Sequence, residues 1–166
     1  MDFDLIQYIT GNRQLGSALA AALDKYHVDF RREHPQAERC YGPLAQLFFS
    51  QSALLAQDHN HLLNFYNFSA ARIFGYSPQE AMGLESLKLV PAEVVRERAD
   101  IFRKVIAEGQ AVEVLDNRIT KEGRIVRINA LIFPYELDSR PSIAARVELL
   151  GADGKRVVPL ITPETP

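Results

Sequence analysis

Residues 62–84, LLNFYNFSAARIFGYSPQEAMGL, specify one short strand and two short helices together with the residues that bound them. The apolar run at the start is rich in β-prone side chains and predicts a strand that ends near Tyr66. Asn67 supplies a side-chain oxygen that can cap a helix over residues 68–74. Gly75 suits the left-handed conformation that commonly ends a helix.

The second helix begins at the tetrapeptide Ser77-Pro78-Gln79-Glu80. Proline is well tolerated at the first helical position, because its missing N–H has no partner there in any case. Ser77 and Glu80 have the spacing of a capping box, in which each side chain binds the backbone N–H of the other residue. Gly83 is placed to end this helix after less than two turns.

This order of a strand, an Asn-capped helix, a Gly-aromatic break and a Ser-Pro-x-Glu helix resembles the opening of a PAS domain, a small α/β sensor fold. Because such residues also cap and end helices in unrelated proteins, the resemblance depends on their order and spacing. Two consecutive capped helices in another α/β domain are the alternative. The matching residues are Asn67, Ala70, Phe74, Gly75, Tyr76, Ser77, Glu80 and Gly83.

Composition excludes several classes of protein. The chain has 166 residues, of which 47% are hydrophobic, and this suffices for one domain with an appendage. A net charge of −2 without a Lys- or Arg-rich run argues against nucleic-acid binding. The single cysteine, Cys40, excludes an internal disulfide and favours a reducing compartment. We predict a cytoplasmic, soluble protein, since no signal peptide or membrane-spanning run is recognisable.

Residues 1–49 are predicted to form an N-terminal helical extension. A short helix over residues 2–9 precedes an amphipathic helix over residues 13–34, in which apolar side chains recur at steps of three and four. Pro35 is predicted to end this helix. Its apolar face suits either packing on its own domain or a seam between two copies, and the pattern favours neither.

Residues 50–150 are predicted to form the main domain, and residues 151–166 a partly ordered tail. Between the second and third strands lies one long helix over residues 92–108, opened by Pro91 and ended by Gly109. The predicted strands are residues 52–57, 62–66, 111–120, 124–137 and 142–150.

The fourth strand is apolar on both faces. Val126, Ile128, Ala130 and Ile132 share one face, but Leu131 and Phe133 on the other face also need a cover. The amphipathic helix of this chain, or of a second copy, is the candidate cover. The predicted homodimer interface therefore comprises Leu19, Leu23, Tyr26, Phe30, Leu131 and Phe133.

The complete element order is similar to that of PAS domains over about residues 50–150. It implies an α+β, PAS-like fold with an antiparallel five-stranded sheet, short helices and one long helix on one face, and a preceding amphipathic helix. Residues 117–124 and 127–130 resemble the MEKHLA branch of PAS-like proteins, although residues 84–88 replace that branch's Pro-Ser-Arg stretch. The resemblance also implies a sensory or dimerisation module that holds a small molecule between sheet and helices.

A half-open sheet covered by short helices leaves a cleft, and small Ala130 and Ala145 indicate that room is left in it. The aromatic candidates can equally be packed core, and Asn67 can serve only as a helix cap. The predicted apolar lining is Phe65, Phe74, Tyr76, Phe102, Ile128, Ala130, Ala145 and Val147. The polar groups that could orient a ligand are Asn67, Arg72, Asn117 and Asn129.

The resemblance narrows the classes of possible cofactor without identifying one. A flavin-adduct photosensor needs a cysteine in the helical segment of the domain, but Cys40 precedes the first strand. Haem-binding PAS domains usually offer a histidine on the long helix, and residues 92–108 contain none. Noncovalent flavin, an organic acid, a fatty acid and no ligand all remain open. Asp58, His59 and His61 could hold a metal, but turn residues that face water are the commoner case.

The leading hypothesis is a stand-alone, non-enzymatic sensor that signals through a homodimer or an unidentified signalling protein, with no nucleic-acid or membrane partner. The second hypothesis is an enzyme on the cone-shaped fold of the ketosteroid-isomerase kind, which needs a general base inside its cavity. Asp58, Glu113 and Asp116 are the available carboxylates, and none is flanked by hydroxyl donors. A ligand-free dimerisation module is the third hypothesis.

Overall fold

The computed structural model describes residues 4–28, 35–151 and 156–157. The strands within this part of the chain form one antiparallel sheet in the order β2-β1-β5-β4-β3, and the two-residue β6 pairs with the end of β5. This confirms the predicted antiparallel five-stranded sheet and adds β6 to it. The strands are β1 (Ala53–Gln57), β2 (Leu63–Tyr66), β3 (Val112–Ile119), β4 (Ile125–Leu137), β5 (Arg140–Leu150) and β6 (Arg156–Val157).

The inner face of the sheet is the face covered by the helices that follow β2. Its buried side chains, with those of these helices, form the inner core, which includes Tyr66, Phe74, Phe102, Ile128 and Ile132. The covering elements are α5 (Phe68–Phe74), α6 (Pro78–Ala81), the 3₁₀ turns η1 (Ser86–Leu89) and η2 (Ala92–Val94), and α7 (Val95–Glu108).

The boundary residues of α5 and α6 are those predicted from the sequence. The Asn67 side chain accepts the backbone N–H of Ala70, and Gly75 is left-handed with φ 85°. The Ser77 and Glu80 pair forms the predicted capping box. The long helix differs from its prediction, because its first turn is the separate 3₁₀ turn η2 and α7 starts at Val95.

The outer face of the sheet is covered by the N-terminal helices. Their apolar side chains pack against Leu54, Phe65, Phe133 and Tyr135 to form the outer core. The sheet is therefore the middle of three layers, with an apolar core on either side. The N-terminal helices are α1 (Leu5–Gly11), α2 (Arg13–Lys25), α3 (Pro35–Tyr41) and α4 (Pro43–Phe48).

The cover over β4 comes from α2 of the same chain. Leu19, Leu23 and Phe133 are buried together in the outer core, and Leu131 packs against it. The rings of Tyr26 and Phe133 have centroids 6.1 Å apart. These five side chains are thus used within one chain, which corrects the expectation of a seam between two copies at these positions. Phe30, the sixth, lies outside the described residues.

Helix α2 is shorter than the predicted helix over residues 13–34. His27 takes a left-handed conformation with φ 53°, and the Val28 N–H donates to the Leu23 carbonyl oxygen at 2.9 Å. This 6→1 bond closes the helix end, and Val28 is buried in the outer core. Pro35 begins α3 instead of ending α2, in the first-turn position that proline favours.

A variant that begins at Ser50 tests the cover directly. Removing α1–α4 exposes the outer core, including Phe65 and Phe133, so we expect the protein to aggregate in size-exclusion chromatography. A variant that ends at residue 151, and so lacks residues 152–166 with β6, is the control and should elute as the full chain does. A truncated protein that stayed soluble and monomeric would show that these helices are not needed as a cover.

Candidate functional site

The site is organised from Asn67, which lies where the chain leaves β2 and enters α5. Its Oδ1 accepts the backbone N–H groups of Ala70 at 3.0 Å and Leu54 at 3.1 Å. Its Nδ2 donates to the carbonyl oxygens of Leu47 at 3.0 Å and Ser52 at 2.8 Å. Asn67 is fully buried, and each polar atom of its side chain is engaged by backbone. It therefore fixes α4, β1 and α5 relative to one another, and the predicted role as a ligand group is corrected to a structural one.

A cavity of about 60 Å³ lies between the inner face of the sheet and α5, η1 and α7. This is room for roughly four water-sized groups. The polar side chains in its wall are Gln57, Ser86 and Arg118. The remaining lining residues that belong to the inner core are Leu55, Leu63, Phe74, Leu89, Phe102, Ala130, Ile132, Ile143, Ala145 and Val147.

The structure brings together a group of the residues predicted to line the cleft, namely Phe74, Phe102, Ala130, Ala145 and Val147. Ala130 pairs with Val147 across β4 and β5, and Ala145 pairs with Ile132. A small side chain thus faces a larger one in both pairs, and this leaves space beside the alanines.

Ile128 and Tyr76 belong to the inner core but do not line the cavity. The Tyr66 hydroxyl donates to the Tyr76 carbonyl oxygen at 2.9 Å, so the Tyr76 backbone is tied to the end of β2. Burial raises the pKa of Tyr66 well above its usual value, and this keeps the hydroxyl protonated as a donor.

Phe65 points into the outer core, not into the cleft. Ala56 of β1 pairs with Phe65, but the next residue, Gln57, pairs with Leu63. This bulge gives β2 one extra residue, so Leu63 and Phe65 face opposite sides of the sheet although they are two positions apart. Phe65 instead meets Phe48 of α4 edge-on, with ring centroids 5.9 Å apart.

The polar groups predicted to orient a ligand lie elsewhere. Asn117 is exposed, and it shares a face of β3 with Leu115, opposite to the face of Asp116. Arg72 is half-buried on α5, where its Nη1 donates to Ser69 Oγ at 3.3 Å. Asn129 Nδ2 donates to Glu113 Oε1 at 2.7 Å. These three side chains are not among the cavity lining.

The polar group that the sequence analysis missed is a cluster of charges beside the cavity. Arg98 of α7 binds Asp116 of β3 through two nitrogens, with Nη2 at 2.8 Å from Oδ1. Arg118 Nη1 donates to the same carboxylate and to the Asn117 carbonyl oxygen at 3.2 Å. The exposed side-chain fractions of Arg98, Asp116 and Arg118 are only 14%, 6% and 7%. The sequence signal for this cluster was the alternation of Asp116 and Arg118 along β3. Both share a face of the strand with the apolar Val112 and Val114, which indicates buried charges.

Burial, and to a smaller extent the neighbouring Arg98 cation, lower the pKa of Arg118 to about 10. Arg118 is still protonated at neutral pH. The cluster therefore holds two cationic groups and one carboxylate in a poorly hydrated place, with Arg118 on the cavity side.

Gln57 and Ser86 form the neutral part of the polar wall. Ser86 Oγ donates to Gln57 Oε1, and Gln57 Nε2 lies 3.0 Å from His61 Nδ1. The Gln57 carbonyl oxygen accepts the hydroxyls of Tyr135 at 2.6 Å and Ser142 at 2.7 Å. These contacts hold the end of β1 in a fixed position.

The histidines near this strand end have contacts of their own. His59 Nε2 lies 2.8 Å from Arg140 Nη1, while His61 is the partner of Gln57. Across the part of the chain that the structure describes, no group of three His, Cys, Asp or Glu side chains is arranged to hold a metal ion. Within the same residues, no helix has the length and apolar character needed to cross a membrane.

Comparison with known proteins places this fold. The family model described as the PAS fold matches residues 47–138. The sheet and helices are similar to a PAS domain from Colwellia psychrerythraea, with 12% identity, a TM-score of 0.57, and coverage of 67% of this chain and 90% of that one. No curated protein sequence matches the chain.

Two further solved structures show the same likeness. A PAS domain from a two-component sensor histidine kinase has 13% identity and a TM-score of 0.56, and the match covers 69% of this chain and 98% of that one. A light-oxygen-voltage (LOV) protein from Rhodobacter sphaeroides has 21% identity and a TM-score of 0.55, with 65% of each chain covered. The fold matched in these comparisons is the α+β class expected from the sequence, and it shows that the ketosteroid-isomerase-like alternative was wrong.

Substitution of Asn67 separates its capping role from the network that it holds. Asn67→Ala removes the acceptor of the Ala70 and Leu54 N–H groups, and it removes one donor from each of the carbonyl oxygens of Leu47 and Ser52. We expect a loss of about 3 kcal/mol or more in the free energy of unfolding. Ser77→Ala removes only an exposed cap and should cost about 1 kcal/mol. Urea unfolding of both variants measures the difference.

Asn67→Asp is the matched control, because it keeps the capping oxygen and removes both donors. It should lose at least as much stability as Asn67→Ala, since it also buries a carboxylate between carbonyl oxygens. An Asn67→Asp protein as stable as the wild type would show that the cap alone matters.

Proposed function

The chain belongs to the PAS fold family, and on that premise we propose that it is a non-enzymatic sensory module that binds a small molecule in the cavity between the sheet and α5, η1 and α7. The observation that carries the proposal is the cavity itself. Protein interiors are close-packed and leave few voids larger than a water molecule. A cavity that is apolar on most sides and has a few polar groups in its wall is the usual form of a small-molecule site.

The wall of the cavity is connected to the edge of the sheet. Phe74 lines the cavity, and its carbonyl oxygen accepts the Lys121 N–H from the β3–β4 turn at 2.8 Å. The Lys121 ammonium also binds Glu80 of α6, and this hydrogen bond lowers the pKa of Glu80 to about 2. The pair is charged at neutral pH and links α6 to the β3–β4 turn. Because the Phe74 carbonyl of α5 binds the same turn, a shift of α5 on ligand binding would be transmitted to this hairpin.

The output surface that we propose is the uncovered part of the outer face, with a second copy of the chain as its partner. Leu115 of β3 and Ile125 of β4 are 62% and 56% exposed there. Strand β3 forms one edge of the sheet in the described residues, and edge strands are ready sites for pairing. Because Leu19, Leu23 and Phe133 are buried, this surface replaces the interface first expected for the homodimer.

The candidate carboxylates do not support the enzyme hypothesis. Asp116 is paired with Arg98 and Arg118, and Glu113 is exposed and bound to Asn129. Asp58 lies in the β1–β2 turn, where its Oδ1 accepts the backbone N–H of Asn60 at 2.8 Å. None of the three lines the cavity, where a general base of that kind would have to lie.

Two finer proposals follow from sequence features. Membership of the MEKHLA branch is supported by the sequence of residues 117–124, which form the end of β3 and the turn that leads into β4. A cytoplasmic location is supported by the single cysteine, since Cys40 is an exposed free thiol on α3.

Filling the cavity tests the binding proposal. We expect native mass spectrometry of the wild-type protein to show a retained small molecule, and Ala130→Phe to abolish it, because the new ring occupies the space beside Val147. Ala107→Phe places the same ring on the exposed side of α7 and should retain the molecule. A wild-type protein without any bound mass, and with no ligand found by screening, would favour the ligand-free dimerisation module instead.

Light scattering after size-exclusion chromatography tests the proposed output surface. The wild type should elute as a dimer, and Leu115→Glu should shift it to the monomer, because a charge is placed within an apolar contact. Glu122→Lys changes an exposed charge in the β3–β4 turn and serves as the control. A Leu115→Glu protein that remained a dimer would exclude this surface.

A further inference from the structure

We infer that the cavity selects a short-chain monocarboxylate, whose carboxylate pairs with Arg118 while its apolar tail lies against the alanines of β4 and β5. The inference rests on the proposed function, since it names the ligand class of the same cavity. It goes further because it depends on the charge cluster and not on the PAS fold.

The first support is an unbalanced buried charge. Arg98 holds Asp116 through two of its nitrogens, so these two groups already form a neutral pair. Arg118 shares the same carboxylate and adds a second cation, although its side chain is only 7% exposed. An uncompensated buried charge is costly, and an anion that enters beside it removes that cost.

The second support is the set of N–H groups that Arg118 leaves open. A guanidinium carries five N–H donors, and Arg118 uses those on Nη1 for Asp116 and the Asn117 carbonyl. Its Nε and Nη2 have no hydrogen-bond partner among residues 4–28, 35–151 and 156–157. Nε and one Nη2 hydrogen form the edge that binds a carboxylate through two parallel bonds.

The third support is the size and the lining of the cavity. About 60 Å³ accommodates roughly four to six non-hydrogen atoms, which is the size of acetate to butyrate. Among the lining residues in the described chain, Arg118 is the charged one, and Ala130, Ala145 and Val147 offer only apolar contact. A dianion would need a second cation, so the walls favour one carboxylate with a short hydrocarbon tail.

Calorimetric titration of the full chain with sodium propionate and with propionamide tests the inference. The two molecules have the same number of non-hydrogen atoms, but only propionate carries a charge. We expect propionate to bind at least about tenfold more tightly, because a hydrogen bond to a charged group is the stronger kind. Sodium chloride at equal ionic strength controls for general screening.

Two arginine variants locate the charge. Arg118→Gln should weaken propionate binding by about 10- to 100-fold and leave propionamide binding nearly unchanged. Arg124→Gln removes a side chain that is 77% exposed in the β3–β4 turn and should bind propionate as the wild type does. If Arg118→Gln does not fold, the comparison of propionate with propionamide on the wild type decides the question alone.

Equal affinity for propionate and propionamide, or an Arg118→Gln protein that binds propionate normally, would overturn the inference. The proposed function fails separately. A protein that retains a neutral molecule sensitive to Ala130→Phe, yet rejects propionate, keeps its role as a sensor and loses only the carboxylate. A protein that binds nothing in the cavity loses both.

Discussion

The fold depends on the amide of Asn67 more than on any other polar group. One buried side chain satisfies two N–H groups and two carbonyl groups that belong to different segments of the chain. Without it, α5 would lose its cap and β1 would lose its link to α4. Because the cavity lies between α5 and the sheet, its shape follows from the geometry that this amide sets.

Local signals made the inner half of the fold predictable. The caps at Asn67 and Ser77 and the left-handed Gly75 act through backbone groups a few residues away, so the sequence alone bounded α5 and α6. Alternation along β4 likewise placed Ala130 on the inner face and Phe133 on the outer face. These features require no knowledge of the partner elements.

The features that were missed depend on distant contacts. The bulge that turns Phe65 outward is defined by the pairing of β2 with β1, and no feature of the β2 sequence alone indicates the bulge. Helix α2 stops at a left-handed His27, whereas the left-handed residue that ends a helix is usually glycine and sometimes asparagine. Arg118 became a candidate only when α7 brought Arg98 to the same carboxylate.

A sheet held from both sides has a mechanical consequence. Neighbouring residues of β5, Ala144 and Ala145, face the outer and inner cores respectively, so the sheet cannot bow outward without compressing the packed N-terminal helices. Any swelling of the cavity must therefore be taken up by the opposite wall, where Phe74 and Phe102 lie on separate helices. The N-terminal helices thus restrain the sheet from the outer side, so that only the helices on the inner side can move when the cavity expands.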